Sequence, residues 1–115
     1  NEIDVALDPI PYGGATTTAE ALWMGVPVIC HQSKGMVGSL SASLLMSAGM
    51  PELIHIDAKN YLTCAINFYY HGIRKNLDRQ SLIEKISSSN LNQPRRVSEQ
   101  LEFIFQNYRL SLKSV

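Results

Sequence analysis

Three short apolar runs alternate with helical patterns, and this alternation constrains the chain more than any other feature. The runs are I-D-V-A-L at 3–7, V-P-V-I-C at 26–30 and L-I-H-I at 53–56. They are apolar almost throughout rather than at every second position, as expected of strands covered by helices on both faces. Asp8-Pro9 stops the first run. A short helix is predicted over 17–24, closed by Gly25 and Pro27. Val37, Leu40, Leu44, Leu45 and Ala48 predict a second over 37–48, stopped by Gly49 and Pro51. Asp57 is placed to cap a third, with Tyr61, Leu62, Ala65, Ile66 and Tyr69 on its apolar face and a break at His71-Gly72. A further helical piece spans 77–86. After a loop at Ser87–Asn90 the last helix carries Val97, Leu101, Ile104, Phe105, Tyr108 and Leu112 on one face. Strand and helix in turn are the mark of βαβ units, so the fold class is α/β: a Rossmann-like parallel sheet with flanking helices, ending in long helices. Ligands of such sheets lie at the carboxyl ends of the strands.

The length of 115 residues suits one domain over 1–115. A hydrophobic share of 45% and a charged share of 17% mark a globular chain. Ten basic and ten acidic side chains cancel, which argues against non-specific nucleic-acid binding. No apolar run is long enough for a bilayer, so no membrane partner is expected. Cys30 and Cys64 are far apart and have no Cys/His spacing, so neither a metal site nor a disulfide framework is expected. Reduced, buried thiols fit a cytoplasmic setting. The chain opens on Asn1-Glu2-Ile3-Asp4 without a methionine or a secretory signal, which suggests a segment of a longer protein.

The first strand leads straight into P-Y-G-G-A-T-T-T-A-E at 11–20. A helix N-terminus binds anions because its first amides lack partners and the dipole is positive there. Gly13 and Gly14 let a ligand approach the backbone, and Thr16, Thr17 and Thr18 add hydroxyls. This is neither a P-loop nor a dinucleotide fingerprint, and no lysine follows to hold a γ-phosphate. Glu20 has two readings. Local chemistry favours a capping box, with Thr17 at the N-cap and Glu20 reaching back to its amide. The other has Glu20 accept hydrogen bonds from ribose hydroxyls while the threonines hold phosphates.

The stretch D-V-A-L-D-P-I-P-Y-G-G-A-T-T-T-A-E-A-L-W-M-G-V-P-V-I, with S-L-S-A-S-L-L-M-S-A-G-M-P-E-L-I after it, resembles the carboxyl-terminal half of O-linked N-acetylglucosamine transferases and SPINDLY-like proteins. The tail, with Ser89-Asn90-Leu91-Asn92, Val97, Leu101-Glu102 and Phe105, extends the resemblance over nearly the whole chain. The resemblance implies part of the C-terminal domain of a GT-B glycosyltransferase, inverting and free of metal or other cofactor. The donor would be UDP-N-acetylglucosamine and the nucleophile a serine or threonine hydroxyl of an acceptor protein. It maps the diphosphate contacts to Thr16 and Thr17 and the ribose contact to Glu20, which shifts Glu20 towards the ligand. With Gly14, Ala15, Thr18 and His31, which follows the second strand, these are the candidate binding residues. No catalytic residue is assigned to this segment; an upstream catalytic domain and TPR repeats would complete the protein, and the fragment alone would be inactive.

Two departures bear on the donor. Ala15 stands where the animal enzymes have histidine, and Met36-Val37-Gly38-Ser39-Leu40 replaces H-A-S-R-V, so that Ser39 takes the arginine's place. An inactive nucleotide-binding or interaction domain, or a GT-B enzyme using another donor such as GDP-fucose, are the alternatives. Lys34 and the Arg95-Arg96 pair are expected in solvent, Trp23 and Leu22 as core anchors, and Tyr61 with Tyr69 as core. Asp8 is expected to set the turn before Pro9 or to order a polar group at the cleft, and Phe103 to leave the core face of the last helix as a docking contact.

Overall fold

The computed structural model describes residues 2–71 and 78–113, with side chains described up to 109. β1 (Ala6–Leu7), β2 (Val28–His31) and β3 (Ile54–His55) form a parallel sheet in the order β1-β2-β3. Ala6 pairs with Val28 and Leu7 with Ile29 on one side of β2; Cys30 pairs with Ile54 and His31 with His55 on the other. α1 (Ala15–Trp23) links β1 to β2, and α2 (Met36–Ser47) links β2 to a single 3-10 turn before β3. α3 (Ala58–His71), α4 (Arg79–Ser87) and α5 (Pro94–Lys113) follow. The predicted α/β class with a parallel sheet is the observed one.

The strands are shorter than the apolar runs. Pro27 has no N–H to give, so the β1–β2 ladder begins with its carbonyl accepting the Ala6 N–H at 2.9 Å. Ile3 lies outside the strand and is exposed. The core joins Leu22 of α1, Val28 and Cys30 of β2, Ala42 and Leu45 of α2, Met50 and Leu53 before β3, and Leu82 and Ile86 of α4. Ile29, fully buried but outside this cluster, alternates to the opposite face of β2, where α3 packs.

Side-chain caps start α3 and α4, the first at Asp57 as the sequence predicts and the second at Asp78, one residue inside the predicted start. The Asn60 N–H donates to Asp57 Oδ1 at 2.8 Å ahead of α3, and the Ser81 N–H donates to Asp78 Oδ1 at 2.8 Å ahead of α4. α3 ends at His71, and both Gly72 and Leu77, the predicted start of the next helix, lie outside the described residues. At the far end of α1, Gly25 turns the chain with φ +69. A Cβ there would sit 2.7 Å from the Arg79 carbonyl oxygen, so α4 packs directly on this turn. The Arg79 guanidinium donates to the carbonyls of Met24 at 2.7 Å and Ile3 at 3.0 Å, tying α4 to the end of α1 and to the approach to β1.

Three expectations about the core are corrected. Trp23 is 56% exposed, because it lies about 100° round α1 from the buried Leu22. Tyr69 is exposed and stacks edge-on with Tyr70 instead of entering the core; Tyr61, on the inner side of α3, is buried as expected. The described apolar residues of α5, Val97, Leu101, Ile104, Phe105 and Tyr108, are exposed, as is Phe103, and none of them joins the core; the side chain of Leu112 lies outside the described residues. Arg95 is in solvent beside Glu99 at 3.3 Å, and Arg96 donates to Asn90 Oδ1 at 2.6 Å. Among the described residues no helix is long and apolar enough to cross a membrane.

Candidate functional site

Asp8 follows β1 and extends its ladder by one bond, its N–H donating to the Ile29 carbonyl at 2.9 Å. Its side chain is buried, with 3% exposed. Oδ1 accepts the Gly14 N–H at 2.8 Å and the Thr18 hydroxyl at 3.3 Å, and the Asp8 carbonyl accepts the Tyr61 hydroxyl at 2.9 Å. Gly13 passes so close that a Cβ would lie 2.9 Å from both Asp8 Oδ2 and Ser41 Oγ. A buried carboxylate thus folds the glycine loop back on the strand end and sets where α1 begins.

That beginning is earlier than predicted. Gly14 is the N-cap of α1 and no side chain caps it, so the expected capping box of Thr17 and Glu20 does not form. Thr17, inside the first turn, instead donates its hydroxyl to the Gly14 carbonyl at 2.8 Å. The Thr18 N–H makes the first intrahelical bond, to the Gly14 carbonyl at 2.6 Å. The amides of Ala15, Thr16 and Thr17 are left without intrahelical acceptors at the carboxyl edge of the sheet. The partial positive charge of the helix end adds to their pull on an anion.

The candidate residues divide between two layers. Thr16 and Thr17 are exposed, Ala15 is half-buried, and the Glu20 carboxylate, one turn along, is in solvent without a hydrogen bond among the described residues. Gly14 and Thr18 belong to the inner layer: the Gly14 N–H is spent on Asp8, and the Thr18 hydroxyl lies between Asp8 and Ser41 Oγ, the latter at 3.1 Å. His31, at the carboxyl end of β2, is half-buried and edge-on to Tyr61 at 6.2 Å between ring centroids, and its Nδ1 is buried without a partner. The loop before α2 is bonded rather than loose: Ser39 donates to the carbonyls of Ser33 at 3.2 Å and Gly35 at 2.8 Å. Lys34 is exposed on it and pairs with no described carboxylate. No group of three or more His, Cys, Asp or Glu side chains placed to hold a metal occurs among the described residues.

Burial pushes the Cys30 thiol up to about 12, and the charge of Asp8 and a hydrogen bond to it push the same way. Burial first, then Asp8 and Cys30, raises the Tyr61 phenol above its ordinary value. Ser41, which bonds to Thr18, and Tyr61, which donates to the Asp8 carbonyl, were not recognisable from sequence as neighbours of Asp8, since they lie on α2 and α3, far along the chain. The usable signal was an aspartate ending an apolar strand just before a double glycine.

A profile of glycosyl transferase family 41 matches residues 2–101. A tomato protein (Solanum lycopersicum) described as a probable UDP-N-acetylglucosamine–peptide N-acetylglucosaminyltransferase SPINDLY is 30% identical over 105 residues, 91% of this chain and 11% of that protein. A UDP-N-acetylglucosamine–peptide N-acetylglucosaminyltransferase of Caenorhabditis elegans is 30% identical over 63 residues, 55% of this chain and 6% of its own length. Among solved structures, a mutant O-GlcNAc transferase of Thermobaculum terrenum aligns with a TM-score of 0.80 and 36% identity, over 91% of this chain and 20% of that one. The chain therefore spans about a tenth of the tomato relative's length and a fifth of the solved chain.

Proposed function

Since the chain belongs to glycosyl transferase family 41, we propose that residues 1–115 are the donor-binding part of a longer protein O-glycosyltransferase. The favoured donor is UDP-N-acetylglucosamine, transferred to serine or threonine hydroxyls of proteins. One observation carries this reading: three unspent amides and two exposed threonines share the carboxyl edge of a family 41 sheet. In it, the amides of Ala15, Thr16 and Thr17 and the hydroxyls of Thr16 and Thr17 bind the diphosphate. To donate outward, the Thr17 hydroxyl turns away from the Gly14 carbonyl it now faces. Glu20, free of any capping duty, accepts the ribose hydroxyls, and His31 borders the donor.

In this reading the acceptor hydroxyl attacks the anomeric carbon with inversion, and the bond to the diphosphate breaks. The helix end stabilises the charge that develops on the leaving group, so no metal is needed. The base and the first domain's contributions come from outside this segment. The test is full-length protein with labelled UDP-N-acetylglucosamine, GDP-fucose and acceptor peptides, with and without EDTA. Transfer from UDP-N-acetylglucosamine that survives EDTA and is lost in Thr17→Val and Glu20→Ala supports the reading; transfer only from GDP-fucose overturns the donor assignment.

A binding domain without transferase chemistry is the second reading, favoured by Ser39. This residue replaces the arginine of the resembled motif, and its hydroxyl is committed to two backbone carbonyls of its own loop. Nucleotide binding by full-length protein without transfer to any acceptor would select it.

A further inference from the structure

We infer that Asp8 is a positioning residue for diphosphate recognition, one that shapes the cradle while staying out of contact with the ligand. The inference rests on the proposed donor site and deepens it. A carboxylate near a diphosphate is repulsive unless it is withdrawn and its charge occupied. Asp8 meets both conditions: it is buried, and Oδ1 is held by the Gly14 N–H and the Thr18 hydroxyl.

An N-cap side chain ordinarily reaches forward to satisfy amides of the first turn. Here the N-cap is a glycine with no side chain to offer, and the cap group arrives from six residues upstream, at the end of β1. It takes the N-cap amide alone and leaves the next three amides without an intrahelical acceptor. A serine or aspartate at position 14 would instead compete with a ligand for those amides. Asp8 therefore sets both which donors remain and where they point. Around it, Ser41 Oγ lies 3.1 Å from the Thr18 hydroxyl, Tyr61 holds the Asp8 backbone carbonyl, and Gly13 closes over Oδ2. The carboxylate is thereby joined to α1 directly and to α2 through Thr18, while the Asp8 backbone is tied to α3.

The test compares the affinity of full-length protein for UDP and for uridine, which lacks the phosphates, by calorimetry, with thermal melting alongside. Asp8→Ala removes the acceptor and is expected to weaken UDP binding about tenfold or more while uridine affinity holds. Asp8→Asn keeps an oxygen for the Gly14 N–H and is expected to restore most of the loss. Thr18→Val removes one partner of Asp8 and is expected to give a smaller loss of the same selectivity, which keeps the test open should Asp8→Ala not fold. A folded Asp8→Ala or Thr18→Val protein with the wild-type ratio of UDP to uridine affinity overturns the inference, as does an Asp8→Asn protein no better than Asp8→Ala. Wild-type protein that binds UDP no more tightly than uridine overturns the diphosphate site itself, a separate outcome.

Discussion

The Glu20 side chain projects from α1 into solvent and its carboxylate has no hydrogen-bond partner among the described residues, so the fold uses only its backbone. Glu20→Ala is expected to shift stability by no more than about 0.5 kcal/mol, the range of a plain surface change. Under the donor-site reading the same variant loses UDP affinity; calorimetry and a thermal melt on one sample check both. Cys30 gives the opposite case, a buried group whose ionisation is tied to folding. Its thiol holds its proton up to about 12 in the folded chain, against an ordinary value of 9.0. The folded state thus binds the proton more tightly, and the stability this group contributes is complete below pH 9.0 and is lost as pH rises through about 12. Urea unfolding between roughly pH 8 and pH 11 is expected to show falling stability, with a shallower fall in Cys30→Ala. Some slope remains in that variant because Tyr61 is raised too.

α1 shows why local patterns read some helix starts and miss others. Asp57 caps from immediately ahead of its helix, where sequence spacing locates it; Asp78 does the same for α4, but a helix read from Leu77 hides it. Gly14 is capped by Asp8 across a loop, and the nearer threonines and Glu20 imitate a capping box that the fold does not use. The parallel sheet was legible because a helical period separates each apolar run from the next. Which stripe of a helix faces inward was less so: Trp23 and Tyr69 are as apolar as their buried neighbours, and only the placement of the other elements turns them outward. At this scale Gly25→Ala is expected to destabilise by about 1–3 kcal/mol, from the left-handed backbone alone. The Cβ would add a clash at 2.6 Å with the Arg79 side chain. Asp57→Ala, which removes only a cap, is expected to cost about 1 kcal/mol. Chemical denaturation ranks the two.

The molecule is longer than a compact domain of its length. Its radius of gyration is 17.0 Å and its long axis 60 Å, against a radius of about 13 Å for a globule of this size. α5 accounts for the difference, since a 20-residue helix is about 30 Å long and none of its described side chains joins the core. Leu101→Asp with Phe105→Asp is therefore expected to leave the melting of the sheet domain unchanged. The same pair is expected to reduce self-association of residues 1–115, read by sedimentation, because an exposed apolar stripe this long is adhesive. At the opposite scale of order stands α1, gripped in front by Asp8 and behind by Gly25 and Arg79. Under the donor-site reading, a helix fastened at both ends loses little freedom when a nucleotide arrives, and its amides act as a ready-made mould.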